Sequence, residues 1–184
     1  APVVTFLHGA GLNVHTFDTT ILALGLPSLS IDLPGHGDSS WRDDANYGPR
    51  TMADDVAQAI AAWTDIPQVL VGQSLGGLTA AVVAARHPEL VRTLVMIDIT
   101  PARRDEVVGR AMSLGPGASR QDTARGVCLN IRVRDDGRVI FKHHFANLGG
   151  LPPADSMNMV PMWEDLAAVA APITLVRGDR GYVT

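Results

Sequence analysis

A serine between two glycines is the residue of this sequence with the clearest capacity for chemistry. The segment Gly72-Gln73-Ser74-Leu75-Gly76 follows an apolar run and opens a helical one. A serine on such a tight strand-to-helix turn stands clear of the sheet, and the flanking glycines leave room for neighbouring backbone. The segment therefore predicts a nucleophile elbow at Ser74, supported by Gly72, Gln73 and Gly76. The alternative is an ordinary turn with a capping serine.

A second glycine-rich segment, His8-Gly9-Ala10-Gly11, follows the first apolar run of the chain. Such a loop can turn backbone N–H groups toward a carbonyl oxygen, and an oxyanion hole needs two such donors near the nucleophile. We predict that the N–H groups of Ala10 and Leu75 are these donors, with His8 and Gly9 in supporting positions. In isolation the segment would be read as a plain turn.

The elements that must position these residues alternate along the chain. Apolar runs at residues 3–7, 28–32, 68–72, 93–98 and 173–177 predict strands, and residues 51–63 and 75–86 predict helices, the first capped by Thr51. Because the strands are continuously apolar, we expect an α/β fold with a mostly parallel sheet covered on both faces. The polar residues of segment 32–39, Asp32 and His36 among them, are expected to hold a loop rather than to catalyse.

Residues 101–162 do not continue this alternation of predicted strands and helices. They contain a helical piece at 105–112, a hairpin-like stretch at 131–142 and a linker-like stretch at 149–153. We interpret them as a lid insertion, so that residues 1–100 and 163–184 together form the core.

Composition narrows the functional classes. The 184 residues are 46% hydrophobic and carry a net charge of −4, which fits a globular domain and argues against a nucleic-acid partner. No apolar run approaches the ~18 residues of a membrane span. Cys128 is the one cysteine, which excludes an intrachain disulfide and fits a reducing, cytoplasmic location. We expect Cys128 to be a small buried residue.

The order of these segments resembles the α/β-hydrolase superfamily. The segments are His-Gly-Ala-Gly, Asp-Leu-Pro-Gly-His-Gly-Asp-Ser, Gly-Gln-Ser-Leu-Gly-Gly and Leu-Val-Met-Ile-Asp-Ile-Thr-Pro. The resemblance covers residues 3 to about 101 strongly and 163–177 more weakly, and it is greatest to small bacterial serine esterases, lactonases and cofactor-free haloperoxidase-like enzymes. It implies a partial α/β-hydrolase fold, cut at both ends. It also implies an enzyme that cleaves a small-molecule ester through an acyl-enzyme, without cofactor or metal.

The resemblance further implies a Ser–acid–His triad. Ser74 matches the nucleophile. Asp98 matches the acid of the branch in which that residue follows the strand after the elbow helix, Asp179 is a second candidate, and Asp98 could instead cap a turn. None of the six histidines lies at the position of the family's histidine, which follows the last strand. We therefore expect the chain as printed to lack its general base and to be nearly inactive, with His143 and His144 lining a pocket at most.

The sequence leaves open two questions, the functional class and the substrate. One is whether the chain is a non-catalytic receptor that binds a small molecule in the same pocket. The other is the substrate, which the lid would set. A group of methionines and a tryptophan suggests an apolar acyl or aromatic compound, but these residues could equally form the packing core of the lid: Met112, Met157, Met159, Met162 and Trp163. The sequence gives no indication of oligomeric state.

Overall fold

The computed structural model describes residues 1–99, 125–126, 128–148 and 161–179. Within these residues a five-stranded, fully parallel sheet has the strand order β2-β1-β3-β4-β7, and a separate antiparallel hairpin pairs β5 with β6. The strands are β1 (Val4–Leu7), β2 (Ser28–Ile31), β3 (Gln68–Gln73), β4 (Val91–Ile97), β5 (Ile131–Val133), β6 (Val139–Phe141) and β7 (Ile173–Val176). The expected parallel α/β sheet is thus confirmed.

Helices cover both faces of this sheet. They are α1 (Asp18–Leu24), α2 (Pro49–Trp63), α3 (Leu75–Arg86) and α4 (Met162–Ala168), with 3₁₀ turns at Val14–Phe17, Pro88–Leu90 and His144–Asn147. Helices α2, α3 and α4 contribute to the larger core together with Leu7, Leu70 and Leu94 of the sheet. On the opposite face, Phe6 packs against Phe17, with Ile21 of α1 beside them. Alternate residues of each strand thus serve different cores, as side chains of a strand point to opposite faces.

Helix α2 begins earlier than the sequence suggested. Its N-cap is Gly48 and Pro49 occupies the first turn, so Thr51 is inside the helix and not its cap. Proline at this position loses no hydrogen bond, and its fixed φ already suits a helix, which explains the earlier start. The Thr51 hydroxyl donates to Asn46 Oδ1 at 3.2 Å.

Two burial predictions are wrong. Strand β7 was expected to be covered on both faces, but all four of its residues are exposed, because among the described residues it pairs with β4 alone and joins neither core. Cys128, expected to be buried, is also exposed. The predicted helix at 105–112 and the predicted linker at 149–153 lie outside the described residues.

The hairpin of β5 and β6 lies against the loop that follows β2. Its turn contains Gly137, whose φ of 80° is open to glycine at little cost. His144, directly after the hairpin, donates its backbone N–H to the Gly35 carbonyl at 2.7 Å. Within the described residues, no helix has the length and apolarity to cross a membrane.

Candidate active site

Ser74 occupies a strained turn between β3 and α3. Its φ of 50° and ψ of −120° place a non-glycine residue in left-handed backbone space, an arrangement that costs energy and persists only where surrounding structure enforces it. The backbone N–H of Ser74 donates to the Ile97 carbonyl at 3.2 Å, which ties the turn to the end of β4. The side chain is half-buried at the carboxyl edge of the sheet.

The glycines around Ser74 permit a close approach of helix and sheet. A Cβ on Gly76 would overlap the carbonyl oxygens of Leu7 and His8, and a Cβ on Gly72 would overlap the Gly76 carbonyl. Any larger residue at either position would therefore push α3 away from β1 and β3. The sequence pattern signalled this requirement, and the structure supplies its physical cause.

The glycine-rich loop after β1 lies directly against the nucleophile turn. A Cβ placed on Gly9 would be 3.4 Å from Ser74 Cβ and 3.6 Å from Gln73 Oε1. Ala10 is exposed at the surface of this loop. Within the described part of the chain, neither the Ala10 N–H nor the Leu75 N–H has a hydrogen-bond partner. The Leu75 N–H thus follows Ser74 directly in the chain, and the Ala10 N–H follows Gly9, which lies against Ser74.

The buried side chain of His8 holds the glycine-rich loop after β1 in place. The ring is 1% exposed, Nδ1 lies 2.8 Å from the Gly9 carbonyl, and Nε2 accepts from the Leu33 N–H at 3.0 Å. The proton is therefore on Nδ1 and the ring is neutral, so the 3.9 Å separation between Nε2 and Asp32 is not an ion pair. Burial lowers the pKa of His8, outweighing the Gly9 carbonyl and Asp32, which favour the charged form.

The loop after β2 is held by its own polar side chains. Asp32 accepts from the backbone N–H groups of Val14 at 2.8 Å and Asp38 at 2.9 Å. His36 is fully buried, donates Nδ1–H to the Pro34 carbonyl at 3.0 Å, and has its pKa lowered to about 4, chiefly by burial. These contacts confirm the structural role predicted for the polar residues of this loop.

Both candidate acids lie beyond strands at the same edge. Asp98 follows β4 with a φ of 51°, donates its N–H to the Val176 carbonyl at 2.7 Å, and accepts from the Gly178 N–H through Oδ1 at 3.3 Å. Asp179 is the next residue after Gly178 and is exposed. The structure therefore brings Asp98 close to the segment that carries Asp179.

His143 and His144 have different surroundings. His143 Nδ1 accepts from the Ala146 N–H at 3.3 Å, so its Nε2 carries the proton, and this atom would lie 3.7 Å from a Cβ on Gly11. Burial lowers the pKa of His143. His144 Nδ1 is hydrogen-bonded to the Tyr47 hydroxyl at 2.6 Å, and the His144 ring stacks on Trp41. Sequence reasoning missed both contacts, because they join segments about a hundred positions apart without a local pattern.

A general base for Ser74 is not in place. All six histidines are among the described residues, and none has a nitrogen within hydrogen-bond distance of the Ser74 hydroxyl. His15 pairs with Asp18, and His87 pairs with Asp54 and Glu89, on the surface. The described residues also contain no group of three His, Cys, Asp or Glu side chains arranged to hold a metal ion.

Of the methionine and tryptophan group, Met162 and Trp163 lie in different environments. Met162 is 1% exposed in the larger core, so this residue packs the fold, whereas Trp163 is half exposed. Met112, Met157 and Met159 lie outside the described residues.

Several known proteins resemble this chain in sequence and in structure. The profile of the alpha/beta hydrolase fold matches residues 2–144. An esterase of Mycobacterium tuberculosis, Rv0045c, is 36% identical over 211 aligned residues, which cover 100% of this chain and 68% of that protein. A crystal structure of that esterase superimposes with a TM-score of 0.83, covering 100% of this chain and 70% of the other.

A second relative is a pimeloyl-[acyl-carrier protein] methyl ester esterase of Neisseria meningitidis. It is 40% identical over 95 residues, covering 50% of this chain and 28% of that protein. The chain thus spans about two thirds of the mycobacterial esterase and matches less than a third of the neisserial one.

Proposed function

The chain belongs to the α/β-hydrolase fold family, and from this premise we propose that it is a serine hydrolase that cleaves small-molecule esters through an acyl-enzyme. The expectation of a hydrolytic enzyme of this family is confirmed by the relatives named as esterases. Those names do not favour the alternative of a non-catalytic receptor.

The observation that carries the proposal is the backbone of Ser74. A serine held at φ 50° between β3 and α3, against a loop with uncommitted N–H groups, supports a nucleophilic role for Ser74 in acyl transfer. The Ser74 oxygen attacks the ester carbonyl carbon and its proton passes to a base. The carbonyl π electrons move to the oxygen, which becomes an oxyanion.

In this mechanism the Ala10 and Leu75 N–H groups donate to that oxyanion. Their effect is large because they are fixed before the charge develops, and because Leu75 begins α3, whose N-terminus favours negative charge. Collapse of the tetrahedral intermediate expels the alcohol, which takes up the proton. Water then attacks the acyl-enzyme by the same route and releases the carboxylic acid.

Asp98 is our choice for the acid that orients the base. It lies at the end of β4, the strand that pairs with β3 in register up to Gln73 and Ile97, so both functional residues emerge from adjacent strands. Asp179 remains the second candidate, since the Gly178 N–H joins its segment to Asp98.

The base is the component that this chain does not place beside Ser74. A serine hydroxyl is a weak nucleophile until a base accepts its proton. We therefore expect slow ester turnover by the chain as printed, and we expect His143 and His144 to contribute little to it. Neither cofactor nor metal has a role in the proposed reaction.

Residues 101–162 are proposed to form a lid that selects the substrate. The described part of this segment contacts the catalytic side of the sheet, where Asn13 donates to the Leu129 carbonyl at 2.9 Å and His143 lies beside Gly11. An apolar acyl or aromatic ester of a small molecule is the proposed substrate class.

The proposal is tested by comparing the chain with Ser74→Ala on a short-chain aryl ester. We expect turnover by the unmodified chain to exceed that of the variant. Equal rates would contradict a role for Ser74.

A further inference from the structure

A cleft of about 400 Å³ opens between the β5–β6 hairpin and the loop after β2. None of its lining residues belongs to the Ser74 turn or to the glycine-rich loop after β1. It is thus separate from the proposed catalytic machinery. The residues that matter for its chemistry are Asp38, Trp41, Arg132, Arg134, Phe141 and Lys142.

The charges on its walls are unequal. Three cations, Arg132, Arg134 and Lys142, line the cleft against one carboxylate, that of Asp38. Asp38 contacts Arg132 at 2.7 Å and Lys142 at 3.5 Å, and these contacts lower the pKa of its carboxyl group. The cleft therefore carries an excess of positive charge, although the whole chain has a net charge of −4.

Arg134 is the cation of the cleft without a close carboxylate partner in the described part of the chain, although its charge adds to the hydrogen bonds from Arg138 that lower the pKa of Asp136. Among the described residues, its guanidinium makes neither an ion pair nor a hydrogen bond, and the side chain is exposed. Its backbone is held in place, because its N–H donates to the Arg138 carbonyl at 2.9 Å across the hairpin. A guanidinium with free donors, carried on a fixed backbone, suits the bidentate recognition of carboxylate or phosphate.

Aromatic surface lies beside these cations. Trp41 and Phe141 line the cleft and are 43% and 47% exposed. The indole of Trp41 is held rigidly, because it stacks on His144 at 4.4 Å between centroids and donates Nε1–H to the Lys142 carbonyl at 3.2 Å. A fixed aromatic face costs little entropy when a flat or apolar ligand packs on it.

From this juxtaposition we propose that the cleft is a binding site for organic anions, in which Arg134 and Lys142 hold a phosphate or carboxylate and Trp41 and Phe141 contact its apolar body. Ligands of this class pair one anionic group with an aromatic or acyl portion. The site does not depend on the reaction at Ser74, so it is expected to function equally in the Ser74→Ala variant.

Phenyl phosphate is the probe, and binding is measured by tryptophan fluorescence and by NMR of the indole N–H groups. The protein used is the full chain carrying Ser74→Ala, so that the outcome is independent of catalysis. We expect saturable binding that perturbs the Trp41 indole resonance and leaves those of Trp63 and Trp163 unchanged. The affinity should fall as salt is added, because exposed charges are screened.

Arg134→Gln is the decisive variant, and Arg92→Gln is its matched control. Arg92 is also exposed, but it lies at the start of β4, at the opposite end of the sheet. Arg134→Gln should weaken phenyl phosphate binding about tenfold, the effect of one charge-assisted contact, whereas Arg92→Gln should leave it unchanged. Lys142→Gln provides a second, independent test of the cationic wall.

Three results would overturn the proposal. They are equal affinities for Arg134→Gln and Arg92→Gln, binding of neutral phenol as tight as that of phenyl phosphate, and a lack of any saturable response at Trp41.

Discussion

Ser74 and Asp98 follow directly after two adjacent parallel strands, and both have a positive φ, which is unusual for residues other than glycine. Strand β3 ends at Gln73 and β4 at Ile97, these two residues are paired in register, and φ is 50° for Ser74 and 51° for Asp98. The Ser74 N–H also donates to the Ile97 carbonyl at 3.2 Å. Two residues of positive φ therefore leave the sheet side by side, Ser74 held by β4 and Asp98 by β7.

The choice between the two acids can be tested by isosteric amides. Asp98→Asn keeps an oxygen that can accept from the Gly178 N–H but removes the charge that orients a base. We expect it to lower Ser74-dependent turnover, measured with imidazole present, by about tenfold or more. Asp179→Asn, the matched change one residue beyond Gly178, should alter it by less than about twofold. The reverse order would assign the acid to Asp179.

Added imidazole should increase the activity of this chain. Because no histidine lies within hydrogen-bond distance of the Ser74 hydroxyl, a small diffusible base can supply the missing proton transfer. The measurement is aryl ester turnover against imidazole concentration, with the Ser74→Ala rate subtracted to remove the direct reaction of imidazole. The Ser74-dependent rate should rise with neutral imidazole. Rapid turnover without imidazole that disappears in His143→Asn or His144→Asn would show that the chain already holds its base.

The close contact at Gly76 should make this glycine irreplaceable. Gly76→Ala places a Cβ on the carbonyl oxygens of Leu7 and His8, so α3 must move away from β1. We expect the free energy of unfolding in urea to fall by about 3 kcal/mol, or the variant not to fold at all. Gly126→Ala is the matched control, because a Cβ there meets no atom within 4 Å. Similar losses in both variants would contradict the packing argument.

Stability should depend on pH through His36. Its pKa is about 4 in the folded protein, below its usual 6.5, because the ring is buried. Between these values the unfolded chain binds more protons, so stability is highest above about pH 6.5 and decreases as the pH falls toward 4, by about 3 kcal/mol. His8, whose pKa is also lowered by burial, adds to the loss in the same direction.

His36→Asn isolates this contribution, because its side-chain amide can still donate to the Pro34 carbonyl. Urea unfolding from pH 4 to 7 should show a smaller pH dependence for His36→Asn than for the unmodified chain. His15→Asn, on an exposed residue, should keep the full dependence. An unchanged slope in His36→Asn would remove His36 as its source.

The elements that the sequence predicted correctly are those whose structure depends on residues close together in the chain. Strand β3, the tight turn at Ser74 and helix α3 follow from an apolar run, glycines without room for a Cβ, and a stretch rich in alanine and valine. The start of α2 was misplaced because a threonine outweighed the proline two residues earlier. Cys128 and β7 were misjudged because burial depends on neighbours that composition does not reveal.

The contacts of the hairpin were beyond local reasoning. Tyr47 and His144 are 97 positions apart, and only the fold brings the Tyr47 hydroxyl to His144 Nδ1 at 2.6 Å. The cleft lined by Trp41 and Arg134 arises in the same way, from two segments whose sequences show no shared signal. Motifs within one segment could therefore be identified from the sequence, whereas surfaces formed by two distant segments could be identified only from the structure.

Covalent labelling of Ser74 tests the central claim most directly. The chain is incubated with an activated aryl acetate, and the acetylated residue is located by intact-protein and peptide mass spectrometry. Because hydrolysis of an acyl-enzyme also needs a base, the adduct should accumulate rather than turn over. We predict one acetyl group on the peptide that contains Ser74 and none in Ser74→Ala. Acetylation that persists in the variant, or that falls only on other residues, would contradict the account.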